Sequence, residues 1–445
     1  MKIAYLTPLN PVRSGISDFA EQLLPYLSKQ IPLEIFSPVE PEDKTLCQTA
    51  PCHLLSELES DAVCNGYDAL LCQIGNHYGH HSGIVKQFQK HSGFLELHDF
   101  SLHNYVAQMT YARGDVEGYR AMAEYNHGTD GLELADRFLS GEAKAPWEEH
   151  ALEMTMNRFL VDYAKGVIVH SDMAKQMIKG INPKMPVINI PLHTPYITKD
   201  AAKEKKDARE VLHLSETTMV FGSFGFATRA KRIEQILEAL ALYRNENQDF
   251  HYYIVGKVEG LDTDEILGRL QLENYVTVTG FVDMEEFQTY MAACDLCLNL
   301  RYPTHGESSA SLHQMLGLGK PVLVTAIGSF DEYSDDFVIK ISHDEDEIQE
   351  ILQVLCKFTE QRELLDMCGE KALEFAHTNC DIEINAERYA EFMRRVLSGT
   401  WQDDDPVDLL LDQLIEIDAA GEQMFCHLEQ IGVLNAAVGQ KKETL

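Results

Sequence analysis

The strongest constraint on this chain is its rhythm. Short β-branched or aromatic runs alternate with stretches of helical spacing over most of its length. "KIAYL", "LEIFS", "DALLCQIGN", "GFLELHD" and "GVIVHS" read as strands. Between them, Ile16 to Leu27, "SGIVKQFQKH", "LHNYVAQMTYA" and "MAKQMIKG" read as helices, and a long helical region is predicted from about Val116 to Ala164. A second series follows a polar stretch in which Lys203 to Lys206 read as a solvated linker. Its strands are "TMVFGSFG", "FHYYIVGK", "YVTVTGF", "LCLNLR", "KPVLVTAIG" and "FVIKIS". Strand–helix alternation of this kind predicts parallel sheets covered by helices. A chain of 445 residues exceeds one ordinary core. The expected fold class is therefore α/β, with two facing Rossmann-like doubly wound domains and a cleft between them. The expected limits are 1–200 and 201–380, then a helix over 381–400 and an acidic helical tail over 401–445. Residues 407–434 of that tail carry apolar positions at helical spacing, suited to packing on the body or to self- or partner association.

Charge narrows the partners. The 37 basic and 71 acidic residues sum to −34, a field that repels nucleic acid and anionic membranes. No apolar run approaches the ~20 residues that span a bilayer, and "MKIAYLTPLN" reads as a first strand and not a leader. A cytoplasmic location is the expectation. The ten cysteines are scattered, and the Cys294/Cys297 pair has no second pair at zinc-finger spacing, so buried free thiols are expected. "DDD" at Asp403 to Asp405 reads as an acidic turn, and no metal is expected.

Ligands of open α/β sheets bind outside the carboxyl ends of the strands. At one such exit stands "FGFATRAKR", with Arg229, Lys231 and Arg232. In so acidic a chain these cations invite an anion. At another stands "GESSASLHQMLGLGKPVLV", Gly306 to Val324: a loop, a helix and a strand. Ser308 or Ser309 falls at the helix N-cap, where unpaired backbone N–H groups favour a phosphate. Glu307 cannot hold a phosphate, but it can accept hydrogen bonds from sugar hydroxyls or cap the helix. Together the two loops describe a pocket for a diphosphate joined to polyhydroxylated groups, a nucleotide sugar. A Walker-type Lys-Ser/Thr loop is absent from the sequence.

Several motifs in series resemble the retaining glycosyltransferases of family 4, which have the GT-B fold. They are "GSFGFATRAKR", "DLCLNLRYPTHGESSASL" and "LGLGKPVLVT", and in the first half "TPLNPVRSGISDF", "QIGN", "LELHDFSLHNY" and "GVIVHS". The resemblance runs over about residues 1–395. It implies a metal-independent transfer from a UDP- or GDP-linked donor to a hydroxyl-bearing acceptor, with no other cofactor. It implies that Lys231, with Arg229, binds the diphosphate, and that Glu307 contacts the sugar while amides around Ser308 and Ser309 hold phosphate. Gly15, in the loop after the first strand, lets backbone approach the donor. His98 lies beside the sugar, with Asn76 and His170 as weaker candidates. The loop of Gly280 and Phe281 meets the base.

Three departures stand out against the family pattern. The second of two glutamates eight positions apart is replaced by Gln314, which can still bond a ribose. Glu307 falls one place late. Phe226 lies where an arginine is usual, leaving Arg229 or Arg232 to substitute. These departures motivate a second reading, a catalytically impaired subunit supporting a partner transferase. A nucleotide-sugar epimerase on the same fold is a third. Polysaccharide, protein and small-molecule acceptors all stay open.

Overall fold

The computed structural model describes residues 1–59 and 64–402. The "DDD" turn and the 407–434 segment lie outside them. The strands are β1 Ile3–Leu6, β2 Leu33–Ser37, β3 Cys52–Leu54, β4 Ala69–Ile74, β5 Gly93–Leu97, β6 Ala164–Val169 and β7 Val187–Asn189, then β8 Met219–Phe224, β9 Phe250–Val255, β10 Val276–Gly280, β11 Leu296–Asn299, β12 Val322–Thr325 and β13 Val338–Ile341. They form two sheets, ordered β3-β2-β1-β4-β5-β6-β7 and β10-β9-β8-β11-β12-β13. All strand pairs are parallel. In each sheet the strand order reverses beside the first strand, so a crevice opens at β1/β4 and again at β8/β11.

Central strands such as β4 and β8 are buried along their whole length. That follows from helices on both faces, which leave no polar side to alternate with. The Gly15–Gln30 helix starts on Ser14, whose Oγ accepts from Ser17 N, and buries Phe19, Leu23, Leu24 and Leu27. The Ile382–Leu397 helix, last in sequence among the described residues, packs its Ala386, Tyr389, Ala390, Phe392 and Met393 into the same core as Phe19, Ile3 and Ile168. This helix, reached after the second sheet in chain order, thus completes the first layered body and not the second.

Three expectations are corrected. Lys203 to Lys206 belong to a helix, Ala201–Val211, and not to a linker. Lys205 and Arg209 on that helix both reach the buried Asp295, at 2.6 and 2.5 Å. This pairing ties the segment to the second sheet, which a purely polar reading missed. The helical region after Val116 ends at Leu139, with a non-helical Gly128 (φ 64°) inside it, and Ala164 already starts β6. The three-residue edge strands β3 and β7 are additions; neither is long enough for period-two patterning to show. The Cys294/Cys297 thiols are free and buried, as expected.

Candidate active site

Lys231 is placed by two short elements. β8 ends at Phe224, and Gly225 turns the chain at φ 85°. A three-residue turn, Arg229–Lys231, then brings the lysine back under that exit. Its Nζ donates to the Phe224 carbonyl. A Cβ on Gly225 would stand 2.9 Å from Nζ, so the site needs glycine for both backbone and space. Burial holds the Lys231 amine down to about 7, and the Arg301 charge adds to this. An amine so desolvated is poised to take a proton together with an anion.

The other two cations of the motif do not join it. Arg232 is committed to Glu347 through its Nε/Nη2 edge, with contacts from Nε of 2.9 and 3.0 Å. Arg229 is exposed, and its Nε donates to the Gly260 carbonyl at 3.2 Å. The expected three-cation anion site therefore reduces to Lys231, with Arg301 as the neighbouring charge that the sequence reading had left at a strand end.

Beside Lys231 lies a cavity of about 590 Å³, within the range of small-ligand sites. Gly225, Phe226, Gly256 and Lys257 line it on one side, and Phe281, Val282 and Asp283 on another. Ala310, Ser311 and Gln314 present the start of the Ala310–Gly317 helix. Asp18, Glu21 and Gln22 of the Gly15–Gln30 helix form the opposite wall. Gly256 (φ 135°) passes so near Gly225 that a Cβ there would meet the Gly225 carbonyl at 2.3 Å. Phe281 is 80% exposed, an apolar ring held open to the cleft with the Arg13 guanidinium 6.0 Å from its centre. Gly280 just before it has φ 70°.

The predicted serines divide their tasks differently from expectation. Ser309 is the N-cap, accepting from Leu312 N at 3.3 Å. Ser308 Oγ crosses to the first body and donates to the His170 carbonyl at 2.8 Å. Both hydroxyls are therefore occupied. The free N–H groups at the helix mouth belong to Ala310 and Ser311, which the motif contained but the sequence reading did not single out. Gln314 lines the cavity with a buried Oε1 that has no partner.

Glu307 is held within its own loop. Its Oε2 accepts from Thr304 Oγ1 (2.9 Å) and His305 N (2.7 Å), and its Oε1 faces Arg301 Nε at 3.2 Å. This loop meets the first body closely. Ser101 N donates to the His305 carbonyl at 2.8 Å. A Cβ on Gly306 (φ 74°) would stand 2.8 Å from Phe100 Cβ. His98 and Asp99 follow β5 directly at this junction. Asn76 N donates to Asp99 Oδ2 at 2.7 Å, yet burial, with the Glu307 charge adding, still raises the Asp99 carboxyl above its ordinary value. Asp99 was passed over as the second half of "HD". Gly15 opens its helix and does not sit in the preceding loop, and a Cβ there would meet nothing.

Glu332 supplies a further link between the two bodies. Its carboxylate accepts from the first two N–H groups of the Asp172–Ile181 helix, Asp172 N at 2.8 Å and Met173 N. An acid at a helix N-terminus stabilises it by about 0.5–2 kcal/mol. Glu332→Ala is expected to speed amide exchange at Asp172 and Met173 roughly 2- to 30-fold. Unchanged exchange there would show that the contact carries no weight.

Comparison with known proteins bears on the fold that carries this site. Residues 204–375 match the family model of glycosyl transferases group 1. Anabaena HepE in complex with UDP-glucose superposes with a TM-score of 0.61 at 16% identity, covering 90% of this chain and all of that one. Sucrose-phosphate synthase of Thermosynechococcus elongatus gives 0.63 at 15% identity, covering 90% of this chain and 100% of that one. The fold is GT-B. An uncharacterized glycosyltransferase of Methanocaldococcus jannaschii is 26% identical over 169 residues, 38% of this chain and 43% of that protein. The chain thus aligns with less than half the length of that curated relative. Among the described residues no helix is long and apolar enough to cross a membrane.

Proposed function

We propose that the protein is a glycosyltransferase of family 4 type, moving a sugar from a nucleotide-sugar donor to an acceptor hydroxyl with retention. One observation carries this: a buried amine, Lys231, lies directly behind Gly225, and Gly225 lines a cavity that the first residues of the Ala310–Gly317 helix also line, in a GT-B cleft. The HepE complex with UDP-glucose and the group 1 match over residues 204–375 support it.

In this reading the diphosphate lies between Lys231 and the amides of Ala310 and Ser311. Phe281 and the chain after Gly280 meet the base, and Gln314 bonds the ribose. Glu307 faces the sugar from one body and His98, with Asp99, from the other. The bond from the anomeric carbon to the phosphate oxygen breaks as the acceptor oxygen bonds the same face. The acceptor proton passes to the departing phosphate oxygen. The protein's part is to position the reactants and to meet developing negative charge with fixed positive groups. Those groups take the place of a divalent metal at the diphosphate. A UDP-linked hexose is the favoured donor.

Calorimetric titration with UDP, GDP, ADP and their sugar conjugates tests this. One nucleotide series is expected to bind, with Glu307→Ala losing affinity for the sugar conjugate more than for the bare nucleotide. Binding of none of them would overturn the reading.

A further inference from the structure

Three strands of the first sheet end on a cluster of groups of which the transfer reading uses only His98. Glu96 lies in β5, fully buried. His98 follows that strand, His170 follows β6 and His193 lies beyond β7. Glu96 Oε1 receives the Tyr389 hydroxyl at 2.8 Å and the Gln73 amide at 3.1 Å. The same oxygen stands 3.2 Å from His98 Nε2 and 3.6 Å from His170 Nε2. The three ligand-type atoms lie within 4.8 Å of one another.

Hydrogen bonding decides what these nitrogens can do. His170 Nδ1 is 2.7 Å from the Ile190 carbonyl, which can only accept. A ring proton therefore sits on Nδ1, and Nε2 is the nitrogen turned toward the carboxylate. Neither His98 Nε2 nor His170 Nε2 has a properly aligned hydrogen bond, and Glu96 Oε2 has none either. Both ring nitrogens of buried His193 are likewise without a partner. Its ring packs 4.2 Å from Phe19, whose ring also contacts His98 (4.9 Å) and His170 (5.7 Å). So many buried polar atoms facing one spot with no partner of their own is a pattern that interiors otherwise avoid.

We propose that Glu96, His98 and His170 form a binding site for a divalent metal ion of the zinc type. Bonds of about 2.0–2.1 Å in a tetrahedral shell place ligand atoms roughly 3.3–3.5 Å apart. The 3.2 and 3.6 Å separations are close to that shell, and the two imidazole nitrogens, which lie within 4.8 Å of each other, complete it by moving together on binding. Two imidazoles and one carboxylate suit Zn²⁺ and not the all-oxygen preference of Mg²⁺ or Ca²⁺. The surrounding bonds are those that metal ligands use. The Ile190 carbonyl orients His170, while Tyr389 and Gln73 hold the carboxylate. The ion joins the ends of β5 and β6, a different part of the cleft from Lys231 and the Ala310–Gly317 helix. His98 is common to both readings, whereas Glu96 and His170 belong to the metal site alone, so metal uptake is read without donor present.

The test is titration of chelator-treated, full-length protein with Co²⁺ followed by Zn²⁺. One equivalent of Co²⁺ is expected to give visible d–d bands of a tetrahedral site without a thiolate charge-transfer band, and Zn²⁺ should displace it. His170→Ala and Glu96→Gln should each weaken binding at least a hundredfold. Because Glu96 is fully buried, His170→Ala decides the matter if Glu96→Gln does not fold. No uptake by the wild type, a thiolate band, or wild-type affinity in His170→Ala would each overturn the site and leave a proton-bridged carboxylate–histidine cluster. Nucleotide-sugar titration of the same metal-free sample separates the two ideas: donor binding without metal uptake sinks only this one.

Discussion

Lys231→Ala is expected to lower turnover at least tenfold, and toward 10²–10³-fold if its amine faces the leaving diphosphate as fixed donors do at other charged transition states. The expectation rests on placement. The amine is buried under Gly225, already desolvated, and it need not reorganise as charge develops on a departing phosphate. The fold should survive. The lysine sits in a short turn and not in a core cluster, and its hydrogen bond is to the Phe224 carbonyl behind Gly225. Circular dichroism and thermal melting should therefore stay near wild type while single-turnover transfer collapses. Wild-type rates in this variant would remove Lys231 from the mechanism and the diphosphate from this cavity.

The second large effect is in pH. Lys231 is held down to about 7, so near that pH the free protein begins to lose the charge that a diphosphate needs. A bound diphosphate favours the protonated amine and raises its pKa. The complex must then take up a proton above pH 7, and affinity falls as pH rises. With a free pKa of about 7, binding at pH 8 should be about tenfold weaker than at pH 6. A nucleotide sugar is the proper probe, because both phosphates are esterified and keep constant charge over this range. Calorimetry in buffers of different ionisation enthalpy should register uptake approaching one proton at pH 8 and almost none at pH 6. Lys231→Ala should bind more weakly and lose the dependence. A flat profile in the wild type would mean that the amine stays charged before the donor arrives.

Both sheets could be read from the sequence because their inner strands are continuous apolar runs between amphipathic helices. The edge strands β3 and β7 could not, since three residues carry no period. The helix over Ala201–Val211 was missed for a different reason. Its meaning lies in Asp295, 86 residues beyond Arg209, and local composition alone reads as linker. At the site, motif order located Lys231, Gln314, Phe281 and the helix mouth, all of which border the same cavity or lie just beneath it. Sequence could not tell that Arg232 is spent on Glu347, that Ser308 and Ser309 are already bonded, or that Ala310 and Ser311 hold the free amides. Such assignments depend on partners supplied by distant segments. The convergence of Glu96, His98 and His170 is of the same kind, since β5 and β6 are neighbours in space with 66 residues between Leu97 and Ala164.

The Ile382–Leu397 helix has a consequence for synthesis of the chain. Phe19, Leu23 and Ile3 share their core with Tyr389, Phe392 and Met393. A ribosome delivers the first group early and the second only after the entire second body has emerged. Until then an apolar face of the first body stays open to solvent, and the Glu96 carboxylate lacks its Tyr389 donor. The nascent protein therefore carries its vulnerable surface through most of translation. The Ile382–Leu397 helix acts as a closing step that makes the early half durable only once the late half has been made.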